Sequence, residues 1–168
     1  MGFFCVAFTP SYCHFCTPKI GTTFSTFVYK LILMETIHFD NDIKVLYVQA
    51  TSFPDGILAA HQKLHGLIPY STERKYFGIS RPEDGVITYK AAAEELQSGE
   101  SEKLNLDTLT LKKGNYACIS VNDYMKDLQS IGNTFNQLLT LPNLDPQGYC
   151  VEWYINDKDV KCMIRLAE

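Results

Sequence analysis

The sequence predicts an α+β fold: two β-α-β-β units whose strands join in one curved antiparallel sheet, with two helices on one face and a concave groove on the other. Three observations predict it. The order strand, helix, strand, strand occurs twice, once from Ile43 and once from Leu106. Each half holds one apolar stripe at helical spacing, Ile57, Leu58, His61, Leu64, Leu67 and Ile68 in the first and Tyr124, Leu128, Ile131, Phe135 and Leu138 in the second, and a proline (Pro69, Pro142) stops each. Each half then closes with two short β-prone runs around turn residues, Arg81-Pro82-Glu83-Asp84-Gly85 and Asn156-Asp157-Lys158-Asp159. The halves share element order without residue-by-residue identity.

At 168 residues, 46% hydrophobic and 20% charged, the chain has the composition of one globular domain with a true core. The first 33 residues differ from the rest. They hold eight aromatics and three cysteines, no acidic residue, and only Lys19 and Lys30 as bases. They lack helical period, clean alternation and capping, and they lack the charged, apolar and small-residue regions of a signal peptide. Residues 1–33 are therefore expected to be an extension outside the domain, with translation truly starting at Met34 and the domain spanning 34–168. Cys13-His14-Phe15-Cys16 lies in this extension; a zinc site needs four ligands and no second close pair exists, so no metal and no cofactor is expected.

From Met34 onward, residues 43–53 are β-branched and aromatic and read as a strand, closed by Pro54-Asp55-Gly56. The first helix follows. Its His61 and His65, four apart with no accompanying carboxylate motif, read as partly exposed helix histidines rather than a metal pair. Residues 75–80 and 86–92 form an antiparallel hairpin, and the polar stretch 94–105 is an exposed connection. Residues 106–121, bent at Lys112-Lys113-Gly114-Asn115, give strand material, and Ser120 or Asn122 caps a helix running to about Leu141. Strands at 149–155 and 160–166 complete the chain.

The penultimate run, Tyr149-Cys150-Val151-Glu152-Trp153-Tyr154-Ile155, has a carboxylate in the middle of a strand. Alternation puts Tyr149, Val151, Trp153 and Ile155 on one face and Cys150, Glu152 and Tyr154 on the other. If both faces are covered, Glu152 is a buried acid that must be paired, protonated or offered to a ligand; if the strand is an edge, it sits in water.

Several function classes are excluded by what the residues lack. After Met34 there are 13 Lys and Arg against 19 Asp and Glu, and no basic cluster exceeds Lys112-Lys113, so direct nucleic-acid binding is not expected. No apolar run reaches the roughly 18 residues of a membrane span, and phosphate-loop, serine-elbow and HExxH signatures are absent. Three scattered cysteines, Cys118, Cys150 and Cys162, suit small core residues of a reducing, cytoplasmic compartment.

Over residues 43–166 the chain resembles the GyrI-like effector-binding domain family, which occurs alone and in AraC-type and MerR-type regulators. The resemblance is carried by Tyr76-Phe77-Gly78-Ile79-Ser80, Tyr89-Lys90-Ala91-Ala92, Gly114-Asn115-Tyr116-Ala117, Glu152-Trp153-Tyr154 and the closing Met163-Ile164-Arg165-Leu166. It implies a ligand cleft between the halves, with an acid on the penultimate strand facing it, the position of Glu152. No helix-turn-helix precedes the domain, so it looks like a stand-alone copy whose regulatory role would need a partner protein. The expected function is non-enzymatic binding of a small aromatic compound or hydrophobic cation, with Glu152 as charge partner, Tyr154 and Tyr89 as hydrogen-bonding walls, and Trp153 and Tyr116 as walls or core. Two alternatives stay open. One is hydrolysis of reactive electrophiles by Glu152; the other is a protein-interaction role like that of a gyrase inhibitor.

Overall fold

The structure is a computed structural model and describes residues 34–168. The expectations for residues 1–33, concerning the start at Met34 and the Cys13-His14-Phe15-Cys16 pair, lie outside the described residues.

The strands are β1 (Met34–Phe39), β2 (Ile43–Gln49), β3 (Tyr76–Glu83), β4 (Val86–Glu94), β5 (Asp107–Leu111), β6 (Gly114–Val121), β7 (Cys150–Tyr154) and β8 (Val160–Arg165), and the helices are α1 (Ile57–Leu67), α2 (Glu100–Leu104) and α3 (Gln129–Leu138). The strands form one antiparallel sheet in the order β1-β6-β8-β7-β3-β4-β2-β5. Read outward from its middle, the order is β7, β8, β6, β1 on one side and β3, β4, β2, β5 on the other. Each half is thus ββαββ, one strand more than expected, and the leading strand of each half pairs with the second strand of the other, β1 with β6 and β5 with β2. This exchange ties the halves together by main-chain hydrogen bonds.

Local chemistry sets the boundaries. The β3–β4 turn is only Asp84-Gly85, with φ of 51° and 82°, the left-handed pair that an Asp-Gly hairpin turn needs, so β3 runs on through Arg81 and Pro82 to pair Glu83 with Val86. The second amphipathic helix starts later than its stripe suggests. Strand β6 continues to Val121, Asp123 takes φ 53°, and a 3-10 turn over Tyr124–Lys126 precedes α3, which detaches Tyr124 from the helix. Within the polar connection, α2 is bracketed by the left-handed residues Gly99 and Asn105.

Two layers of core result. Helix α1 seats Ala60, Leu64 and Ile68 on Leu46, Val48, Ala91 and Ala93, where the alanines of β4 make room for it. Helix α3 seats Phe135 and Leu138 on Ala117, Ile119, Val160, Cys162 and Ile164. On the helix-free face the sheet curls until residues of all eight strands, including Phe39 of β1 and Leu111 of β5 at its two edges, share a single cluster with Phe77, Ile79, Val151 and Met163. The expected α+β fold with one curved antiparallel sheet is therefore present, curled into a half-barrel, and the helix-free face expected to form a groove is packed by side chains. No helix among the described residues is long and apolar enough to cross a membrane.

Candidate functional site

Strand β7 lies at the centre of the sheet between β3 and β8, so its mid-strand acid is not at an edge. Glu152 faces Gly78 on β3 and Cys162 on β8 and retains 8% exposure. Its face is the one that carries the helices. The neighbouring Ala91 and Ala93 belong to the α1 layer, and Cys162 and Ile164 to the α3 layer, which places Glu152 on the strip of sheet between the two helices. The cleft expected on the helix-free face is thus not where the acid is; both faces of the sheet are rich in aromatics, and alternation alone does not say which face the helices cover.

A lone buried carboxylate is costly, and here two phenols compensate. Tyr154, two residues along the same strand, donates its hydroxyl to Glu152 Oε2 at 2.5 Å, and Tyr89 donates to the same oxygen from β4 at 3.0 Å. Tyr89 reaches it by lying across Gly78. A Cβ on Gly78 would stand 2.0 Å from Tyr89 Oη and 2.7 Å from Glu152 Oε2, so only glycine lets the two meet. Both donors converge on Oε2, and Oε1 receives no hydrogen bond from a described residue.

His61 of α1 completes the cluster, its Nε2 3.0 Å from Tyr89 Oη and its ring edge-on to Tyr154 at 5.3 Å. With the Tyr89 proton committed to Glu152, His61 Nε2 is the donor in that contact. Phe53 stacks on Tyr89 at 6.2 Å and Tyr124 leans on Tyr154 at 5.6 Å. Burial pushes the Glu152 carboxyl up, and the two hydroxyl bonds pull it back only in part. Burial and the adjacent carboxylate push the Tyr89 and Tyr154 hydroxyls up, so both stay protonated donors. Burial, with a smaller contribution from His65, takes His61 down to about 4, so the imidazole is neutral at ordinary pH. No Lys or Arg among the described residues pairs with Glu152. Its ionised form is therefore a negative charge that no cation among the described residues compensates, walled by aromatic rings.

Of the five expected site residues, Glu152, Tyr154 and Tyr89 meet. Trp153 and Tyr116 do not join them, because alternation turns both to the helix-free side, where they pack on Phe39 at 5.9 and 5.1 Å and Tyr116 donates to the Lys112 carbonyl at 2.6 Å. They are packing residues. A hollow of about 40 Å³ lies beside Tyr116, Tyr149, Asp145 and Arg165, and an open groove of about 530 Å³ runs past Arg81, Glu83 and Pro146. Neither contains a member of the Glu152 cluster. The buried acid with its converging hydroxyls is a better candidate for chemistry than either hollow, the first being sized for about one water and the second wide open. His61, Phe53, Tyr124 and Gly78 were not legible as site residues. A glycine inside a strand was the one available signal, since it marks a close approach.

The fold and site together define a duplicated half-barrel with an acid between α1 and α3. No family model matches the sequence, and no curated protein matches it either. Solved structures share the fold. An integron cassette protein from the mobile metagenome of Vibrio cholerae matches with a TM-score of 0.56 at 16% identity, over 79% of this chain and 95% of that one. SAV2435, solved bound to tetraphenylphosphonium, matches with a TM-score of 0.56 at 12% identity, over 79% and 94%. A hydrolase from Listeria innocua matches with a TM-score of 0.51 at 11% identity, over 80% and 91%. At such identities the likeness is one of fold.

Proposed function

We propose that this is a stand-alone, GyrI-like small-molecule-binding protein of the cytoplasm that senses or sequesters an aromatic or hydrophobic cation and carries out no chemistry on it. The observation that carries the reading is Glu152: a buried carboxylate with no cationic partner among the described residues, one oxygen held by two phenols and the other accepting no hydrogen bond from a described residue. A cation within about 4 Å of it gains roughly 4 kcal/mol at an effective dielectric of 20. Ring faces of Tyr154, Tyr89, Tyr124 and Phe53 add about 0.5–2 kcal/mol for each good cation-π contact. Phe53, stacked on Tyr89, is 37% exposed. A fold neighbour bound to a large apolar cation supports this ligand class. Any link to transcription would run through a partner protein.

Thermal-shift titration with tetraphenylphosphonium and with a neutral triphenyl compound tests the reading, because a ligand that binds only the folded state raises its midpoint. The cation should raise it and Glu152→Gln should abolish most of that rise. Equal shifts by both compounds in wild type would remove Glu152 from the role. A second reading, hydrolysis, is favoured by the same acid standing among hydroxyls and next to His61, a donor set suited to protonating a leaving atom. Turnover of a strained-ring electrophile that is lost in Glu152→Gln would establish it.

A further inference from the structure

The contact between His61 and Tyr89 is not needed to hold a cation, yet it links the buried acid to the surface of α1. Three polar atoms follow one another: Glu152 Oε2, Tyr89 Oη at 3.0 Å, and His61 Nε2 at a further 3.0 Å. Tyr89 is only 1% exposed, whereas His61 is partly exposed and stacks on the exposed His65 at 6.4 Å. Resting on the binding reading, we infer that His61 and Tyr89 are a proton path for Glu152, so that binding a cation at this site expels one proton through the imidazole to solvent.

The step balances within the residues named. With Glu152 protonated, its O–H donates to Tyr89 Oη and the Tyr89 O–H donates to His61 Nε2. When a cation arrives, the Glu152 proton passes to Tyr89 Oη as the Tyr89 proton passes to His61 Nε2. His61 then loses the proton on Nδ1 to water. The products are ionised Glu152, an intact Tyr89 hydroxyl, imidazole in its Nε2–H form and one proton in solution. No bond to carbon changes and no further reactant is needed. The final arrangement has His61 donating to Tyr89 and Tyr89 donating to the carboxylate, as in the ionised site described above.

The surrounding groups leave this route open. Glu152 is faced by Tyr154 on its own strand, by Tyr89 on β4, by Tyr124 from the 3-10 turn and by the thiol of Cys162, which in turn faces Cys150. Burial and the carboxylate hold the Cys162 thiol up, which keeps it protonated. Tyr154 is also a donor to the acid, and its hydroxyl lies 3.3 Å from Tyr89 Oη, so a proton passing by Tyr154 joins the same route at Tyr89; its other neighbours among the described residues are rings, His61 edge-on and Tyr124 tilted. His61 is faced by His65, Tyr89 and Tyr154. Burial raises the acid and lowers the imidazole, so a proton that reaches His61 is passed on to water.

The test uses the full chain and tetraphenylphosphonium. Calorimetric titrations at several pH values, in two buffers of different ionisation enthalpy, count protons released per cation; the count should rise toward one as pH falls, with Kd weakening up to tenfold per pH unit. Stopped-flow mixing with a pH dye then times the release. His61→Gln, which keeps a donor to Tyr89 but accepts no proton, should slow the release at least tenfold while the count stays set by Glu152. If that variant fails to fold, Tyr89→Phe cuts the same path at its middle oxygen and should slow it likewise. Cation binding with a pH-independent Kd and no proton count would overturn the inference and leave the binding reading standing, as would release at wild-type rate in the variant for the path. Absence of cation binding at every pH would instead sink the binding reading.

Discussion

Replacing Gly78 by alanine probes the site without touching any of its polar atoms. The new methyl would stand 2.0 Å from Tyr89 Oη, 2.8 Å from Tyr89 Cζ and 2.7 Å from Glu152 Oε2, all below van der Waals contact. A hydroxyl at the tip of a ring moves cheaply in open space, but Tyr89 is 1% exposed and its ring lies against Phe53 and His61. The ring has to lift and its bond to Glu152 has to break. Overpacking costs about 1–3 kcal/mol, and a lost hydrogen bond to a charged group about 1.5–3 kcal/mol. Relief by relaxation of β3 brings the expected total to about 2–4 kcal/mol. For a domain of this size that lowers Tm by roughly 8–15 °C. The assay is urea and thermal unfolding of wild type, Gly78→Ala, Tyr89→Phe and the double variant. Because the shortest contact is to the hydroxyl, Gly78→Ala should cost at least about 1 kcal/mol less in the Tyr89→Phe background. A Gly78→Ala protein as stable as wild type, or costs that simply add, would refute the claim that Gly78 exists to let Tyr89 and Glu152 meet.

Other perturbations follow from the same geometry. The unfolded chain protonates His61 from about pH 6.5 while the folded protein holds it to about 4, so this group's stability is full above 6.5 and is lost as pH falls toward 4, roughly 3 kcal/mol in all; in His61→Gln, unfolding measured between pH 7 and 4 should lack that component. Glu152 acts with the opposite sign, since its raised carboxyl favours the folded state at low pH and that contribution is lost as pH rises from about 4.5 through the folded value; Glu152→Gln should therefore gain stability relative to wild type on going from pH 4 to 8. Arg74 grips Glu100 with two bonds of 2.6 and 3.1 Å, tying the loop after α1 to α2, and Glu100→Gln should cost about 2 kcal/mol by urea unfolding at pH 7, less than a sealed pair because Glu100 keeps some exposure. Gly85→Ala meets nothing within 4 Å and should cost only the backbone term of φ 82°, about 1–2 kcal/mol in the same assay.

The sequence was most legible where one local signal acts alone. The stripe from Ile57 to Ile68 found α1, the turn residues Arg81-Pro82-Glu83-Asp84-Gly85 found the β3–β4 hairpin though only the last two form its turn, and a charge inside an aromatic run found Glu152 with Tyr154 beside it. Legibility failed where two signals compete or where the decisive partner is distant. Tyr124 fits the helical stripe of α3 by spacing, but the left-handed Asp123 breaks the chain before it and turns the ring onto Tyr154. Strand β1 is an edge with mostly exposed residues, so it lacks the apolar run that marks a buried strand, and its exchange with β5 is a fact of tertiary pairing. Trp153 and Tyr116 were candidates because aromatics suit either a wall or a core. Which face of the sheet receives the helices is decided by Ala91, Ala93, Ala117 and Cys162 acting together as small seats, a pattern spread over three strands. His61 reads as a helix surface residue until Tyr89 is known to lie beneath it.

The most direct measurement is the pH titration of the Glu152 side-chain carboxyl by carbon NMR, in the free protein and saturated with tetraphenylphosphonium. A buried acid that serves as the charge partner of a cation should titrate above the usual glutamate range when free and fall below its free value when the cation is bound. A carboxyl that titrates as an ordinary surface glutamate, or that does not respond to bound cation, would contradict the account.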